Sequence, residues 1–160
     1  MWTFVKTNSD IEALMYITSY FHDSCLKEMR CVSGAYVESD MCMHAINDQR
    51  ILKVILQRQY DEYSMIELEF GGIKFVKLIP MDEEYTCEIL KSSLFIKDGY
   101  IYWGDSDCVE SDLDHYDGTL VCAKSLRWRT IQNCMGKEEF YCSRQEILHL
   151  AKISMRRAHR

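Results

Sequence analysis

One proline and seven glycines in 160 residues leave this chain with little punctuation. With no proline-, serine- or glycine-rich tract and no internal repeat, nothing reads as a linker, and residues 1–160 are expected to form a single domain. No apolar run approaches the roughly 18 residues that a membrane-crossing helix needs. Cations are scarce as well: 19 lysines and arginines face 25 aspartates and glutamates, a formal charge of −6. That balance argues against charge-driven nucleic-acid binding. Also missing are the phosphate loops G-x-x-x-x-G-K-[ST] and G-x-G-x-x-G, the metal-binding H-E-x-x-H and the nucleophile elbow G-x-S-x-G. An enzyme here would have to assemble its site from residues that converge only in three dimensions.

Cysteine is plentiful but unpatterned. The eight are Cys25, Cys31, Cys42, Cys87, Cys108, Cys122, Cys134 and Cys142. A structural zinc site needs close pairs such as C-x2-C, so that one tight turn aims two thiolates at one ion. The nearest cysteines here, Cys25 and Cys31, lie too far apart for that, and the one close cysteine–histidine pair is Cys42-Met43-His44. No metal and no cofactor is therefore expected. The opening Met1-Trp2-Thr3-Phe4 leads straight into polar residues, with neither the basic nor the apolar region of a secretory signal. The expectation is a cytoplasmic protein whose thiols stay reduced and are buried in the core.

What is present is 48% apolar and 28% charged residues, enough to exclude wholesale disorder. Ser9-Asp10-Ile11-Glu12 reads as a capping box opening a helix over roughly residues 10–20, with Ile11, Leu14, Met15, Thr18 and Phe21 on one stripe. The rhythm then changes to period two. Leu52, Val54 and Leu56 alternate with Lys53 and Gln57, Ile66, Leu68 and Phe70 with Glu67 and Glu69, and later Leu126, Trp128 and Thr130 with Arg127 and Arg129. Gly71-Gly72 and Asp98-Gly99 each read as a two-residue hairpin turn. Ser143-Arg144-Gln145-Glu146 opens a second helix that ends near Arg156, Arg157 and Arg160, cations placed to offset its dipole. The class is α+β: a mainly antiparallel sheet of about seven or eight strands, able to curl, with a helix at each end of the chain.

Four stretches carry candidate chemistry. At Phe21-His22-Asp23-Ser24 the helix gives way to a strand. Adjacent side chains diverge on a helix or a strand, so His22 and Asp23 pair only through an unusual turn. Residues 105–117 hold Asp105, Asp107, Glu110, Asp112, Asp114 and Asp117 with no lysine or arginine. Charges so dense repel, and the loop is expected to be solvated and extended unless it meets a cation or a basic partner. The spacing fails the calcium-loop pattern. Cys108, set among these acids, makes a poor nucleophile, because carboxylates disfavour a thiolate. In Leu126-Arg127-Trp128-Arg129, alternation sends Trp128 to the core and both arginines to solvent.

Phe21-His22-Asp23-Ser24-Cys25, Val32-Ser33-Gly34-Ala35-Tyr36-Val37, Leu56-Gln57-Arg58-Gln59 and Ile101-Tyr102-Trp103-Gly104-Asp105 together give a chain that resembles an uncharacterised family of bacterial proteins, from the first helix through Trp128. More distantly, the Phe-His-Asp corner ahead of a run of strands is similar to immunity proteins of bacterial toxin systems. That resemblance implies a small, acidic, cytoplasmic α+β protein that neutralises a toxin. The resulting expectation is a non-enzymatic binding protein that offers the Asp105–Asp117 loop, with Trp103 at its base, to a basic, toxin-like partner. The competing reading is a small-molecule binder or enzyme that uses a concavity of the curled sheet, with His22 or His44 among its polar groups. Neither nucleic acid nor membrane is expected as a partner, and the residues do not fix an oligomeric state.

Overall fold

Thr3–Val5 form a short strand, β1, that the sequence pattern does not announce; it is followed by α1, Asn8–Ile17. The computed structural model describes residues 1–108, 110–132 and 135–141, with Asp112 described by its backbone alone. The helix begins a little earlier than Ser9 predicts. Thr7 is the N-cap: its hydroxyl accepts from Asp10 N at 3.2 Å, while the Asp10 carboxylate accepts from Thr7 N at 2.9 Å and Lys6 N at 2.9 Å. Thr7-Asn8-Ser9-Asp10 offers the same capping chemistry as Ser9–Glu12 and satisfies one more backbone donor, so it wins. The predicted stripe holds. Ile11, Leu14 and Met15 are buried, as are Thr18 and Phe21 just beyond the helix.

A 3-10 turn at Ser19–Phe21 leads into β2 (Ser24–Val32), and a ribbon of β3 (Tyr36–Val37) and β4 (Met43–His44) follows. Then come β5 (Ile51–Arg58), β6 (Met65–Lys77), β7 (Glu88–Ile89), β8 (Ser93–Lys97) and β9 (Tyr100–Gly104). A second 3-10 turn, Glu110–His115, precedes β10 (Leu120–Thr130). The main sheet runs β7-β2-β5-β6-β10-β9-β8, with β1 added against β10, and every pairing is antiparallel. Only Leu90, Lys91 and Ser92 separate β7 from β8, so the two ends of the sheet order must come close, and the sheet curls. The expected α+β class with a curled antiparallel sheet is what the chain adopts. The expected C-terminal helix lies outside the described residues, as do Cys134 and Cys142.

Alternation explains the core. Val54 and Leu56 of β5 stand opposite Leu68 and Ile66 of β6, and all four are fully buried. With Phe70, Trp103, Val121 and Leu126 they form the sheet's inner face, and Leu14 and Phe21 pack into the same cluster. Burying side chains of this size stabilises by roughly 1.5–3 kcal/mol each. The predicted Asp98-Gly99 hairpin is present, with φ of 51° and 73° at the two turn residues as a type I′ turn demands. Gly71-Gly72 is not a hairpin. β6 runs through it, and Gly71 lies against Ile51 on one side and Ser125 on the other. A Cβ at Gly71 would meet Ser125 Oγ at 2.6 Å, so the glycines serve close strand approach and a bend.

Two further expectations are corrected. Cys108 and Cys122 are buried, but Cys25, Cys31, Cys42 and Cys87 are exposed, on β2 or in connections beside short strands. Trp128 does face inward, yet Arg127 and Arg129 do not project into bare solvent. The register sets them directly opposite Glu69 and Glu67, and each guanidinium meets its carboxylate at 2.6 Å. Both also stack on the Trp2 ring, at 4.4 and 4.5 Å. Opposed charges on neighbouring strands are the sheet's own form of side-chain pairing. Tyr141 donates to the buried Glu67 carboxylate at 3.0 Å. Burial and the Glu67 charge hold its phenol far above the ordinary value.

Candidate functional site

The stretch between β9 and β10 is a folded lobe, in place of the extended loop its charge predicts. Asp105 anchors it. Its Oδ1 accepts from the Tyr116 hydroxyl at 2.9 Å and from Thr119 N at 3.0 Å, tying the two ends of the lobe together. The Tyr116 hydroxyl also accepts from Ser106 N at 2.8 Å, and the ring sits in a second small core with Cys108, Leu120, Phe95 and Leu113. Burial, with the Asp105 charge beside it, pushes the Tyr116 phenol well above its usual range. Thr119 Oγ1 donates to Ile79 O at 3.1 Å, and Ser93 Oγ accepts from Cys108 N at 2.7 Å. Gly104 and Gly118 leave room for the tyrosine: a Cβ on either would meet the Tyr116 hydroxyl at 2.8 Å.

The cation that such an acidic run requires comes from the chain itself. Lys91 pairs with Asp107 at 3.0 Å, Lys97 donates to Glu110 O at 3.0 Å, and Lys77 donates to Tyr116 O. The hairpin register foreshadows the first of these. If Ser93 lies opposite Gly104, Lys91 falls beside residues 105–107. Tyr116 and Thr119 carry no such local signal.

The predicted site residues therefore part company in the structure. Trp103 is fully buried, its ring 6.3 Å from Phe70, and belongs to the core; it cannot meet a partner. In Tyr100-Ile101-Tyr102-Trp103 no polar residue marks which side faces out, so the pattern could not assign it. Asp105 is a structural clasp. Asp107 and Glu110 are exposed and engaged with lysines, whereas Asp114 and Asp117 are exposed and, among the described residues, in no ion pair. Asp112 lies in the 3-10 turn by its backbone. Among the described residues no three potential ligands gather to hold a metal ion.

At the corner, the unusual turn exists. Ser19, Tyr20 and Phe21 have φ of 50–57° and Asp23 has 55°, a left-handed geometry that costs non-glycine residues energy. Thus adjacent His22 and Asp23 do pair, Nδ1 to Oδ1 at 2.9 Å, and Tyr60 donates to Asp23 Oδ2 at 3.3 Å. Burial works to raise the Asp23 carboxyl, but the bonds from His22 and Tyr60 and the His22 charge hold it below the ordinary range. Beneath lies buried Arg58, donating to Thr18 O at 2.6 Å and Tyr63 O at 3.1 Å, with its guanidinium over the Tyr60 ring. A cation on the last carbonyls of α1 offsets the helix dipole. These contacts join helix to sheet, an architectural role. His44 lies elsewhere, on the ribbon, stacked on Tyr36 at 4.5 Å and paired with Glu38 at 3.1 Å. Neither histidine belongs to the inner face of the sheet, where Leu14, Phe21, Phe70 and Trp103 already occupy the concavity.

These features define an α+β protein with a curled antiparallel sheet, a packed interior and an acidic lobe held by the Asp105 clasp and the Tyr116 core. Comparison with protein-family models, curated proteins and solved structures finds no match. Among the described residues no helix is long and apolar enough to cross a membrane.

Proposed function

We propose that this chain is a non-enzymatic, cytoplasmic protein-binding module of immunity type, which presents the lobe of residues 105–117 to a basic protein surface. The observation that carries this reading is the lobe's preorganisation. Asp114 and Asp117 stand exposed on a segment held by the Asp105 clasp and the Tyr116 core, so little conformational freedom is lost on binding. Fixed like charges steer an oppositely charged partner and raise its association rate. A filled sheet interior supports binding by an outer surface over binding in a cavity. Among the described residues, four exposed unpaired thiols support a reducing compartment.

Affinity capture from the native host tests the proposal, comparing the unaltered chain with an Asp114→Asn/Asp117→Asn variant. Recovery of a basic partner is expected to fall roughly tenfold at low salt in the variant. Equal recovery by both would remove the lobe from the interface.

A further inference from the structure

We propose that the open edge of β8, flanked by α1, receives an extended segment of the basic partner as an added strand; this rests on the reading of the lobe as a surface for a basic protein. β8 ends the sheet order and pairs on one side only, with β9. In a two-residue hairpin the residues flanking the turn exchange backbone hydrogen bonds, and alternate pairs beyond them do the same. Lys97, Phe95 and Ser93 therefore bond to Tyr100, Tyr102 and Gly104, while Leu94 and Ile96 turn their N–H and C=O groups away from β9. Among the described residues no strand pairs with that side. Leu94 is buried and Ile96 packs on the main core, so the edge is held in place.

Beyond this edge lies a cleft of ≈ 270 Å³ between strand and helix, with Ile11 and Met15 on its helix wall and Leu94 and Phe95 on its strand wall. Glu12 stands exposed at the helix rim. Natural edge strands are guarded by proline, bulges or charges. β8 has no proline, its pairing with β9 shows no register shift, and its one charge, Lys97, is drawn to Glu110. An added strand would bond to Leu94 and Ile96 through its main chain and send alternate side chains to opposite faces. One set meets the apolar wall of α1. The other emerges on the side of Phe95, which packs under the lobe, where Asp107, Glu110, Asp114 and Asp117 are exposed. The fitting segment alternates apolar and basic residues.

The test titrates the isotope-labelled full chain at low salt with a decapeptide of alternating lysine and valine. A lysine–glycine decapeptide of equal charge and poor strand propensity serves as the control. With the valine peptide, exchange of the Leu94 and Ile96 amides is expected to slow at least roughly tenfold, and with the glycine peptide it should not. Ile96→Pro keeps the hairpin bonds, since that N–H faces away from β9, and should lose this binding while lobe resonances still shift. Resonance shifts confined to residues 114–117, with Leu94 and Ile96 exchanging as before, would overturn the added strand and leave the basic-partner reading standing. Absence of any shift with either peptide would overturn both.

Discussion

The ribbon of residues 33–50 and the lobe of residues 105–119 both leave the sheet between strands, but they are secured in opposite ways. On the ribbon, Tyr36, Met41, Met43 and Ile46 are exposed by 55–80%. Its bonds are mostly its own: Glu38 N to Cys42 O at 2.9 Å, and Met41 N to Glu38 O at 3.0 Å. At its root, Gln49 N donates to Ser33 O and Ile73 N to Arg50 O. The lobe exposes acids, buries Tyr116 and Leu120, and takes its bonds from Ser93, Lys97 and Lys77 in the sheet. Anchoring here follows where the hydrogen bonds and apolar groups go, and charge density does not set it. The segment whose sequence looks most repulsive is the better anchored.

Removing the lobe's anchor should separate the two most sharply. Tyr116→Ala is expected to lower stability by about 3 kcal/mol, because a buried ring leaves a cavity. Tyr36→Ala on the ribbon should stay within about 0.5 kcal/mol. Urea unfolding of both variants measures the contrast, and equal losses would abolish it. Asp105→Ala comes next. It leaves the Thr119 N–H without its acceptor and takes one partner from the Tyr116 hydroxyl, which keeps Ser106, at a cost of about 1–3 kcal/mol, and should accelerate Thr119 amide exchange while Val37 exchange stays as it was.

Alkali gives a milder lever. Tyr102 lies beneath the lobe, stacked on Phe95 at 5.4 Å, and a hydrogen bond with the Cys122 thiol, together with burial, pushes its phenol up to about 12. A phenol raised in the fold contributes stability that is complete below its unfolded value near 10 and fades as pH rises towards 12. Phenolate absorbance followed alongside Thr119 exchange should show the lobe loosening in that window. Loosening of the ribbon first would reverse the comparison. The smallest effect belongs to deletion of residues 36–46 with a glycine-serine closure, since shortening a surface excursion changes closure entropy only slightly. The melting temperature should move by less than about 4 °C, corresponding to under 1 kcal/mol. A larger drop would show that the ribbon supports the fold.

Much of the framework was legible because it is local. Ile66-Glu67-Leu68-Glu69-Phe70 declares its two faces, and Asp98-Gly99 declares a turn with the φ it needs. The capping box slipped because Thr7–Asp10 and Ser9–Glu12 meet the same local rule, and only the number of donors each satisfies separates them. Gly71-Gly72 was misread because a glycine pair suits a turn or a close approach equally. What decides is Ser125, more than fifty residues away in sequence, pressed against Gly71. The lobe was legible as charge and illegible as structure, since its clasp joins Asp105 to Thr119 and its counter-charges come from Lys77, Lys91 and Lys97. Trp103 failed for want of a polar neighbour to set its facing.

The pairing of β1 with β10 has a consequence for synthesis. Thr3 lies against Trp128, and Trp2 against Arg127 and Arg129, so residues 2–5 leave the ribosome long before the strand they pair with. At 5–20 residues per second, roughly 6–25 s pass between the emergence of Val5 and that of its partner strand. Through that interval β2, β5 and β6, neighbours both in sequence and in the sheet, can assemble with α1 over them. Until residue 128 arrives, β1 waits as an unpaired strand that a chaperone could hold.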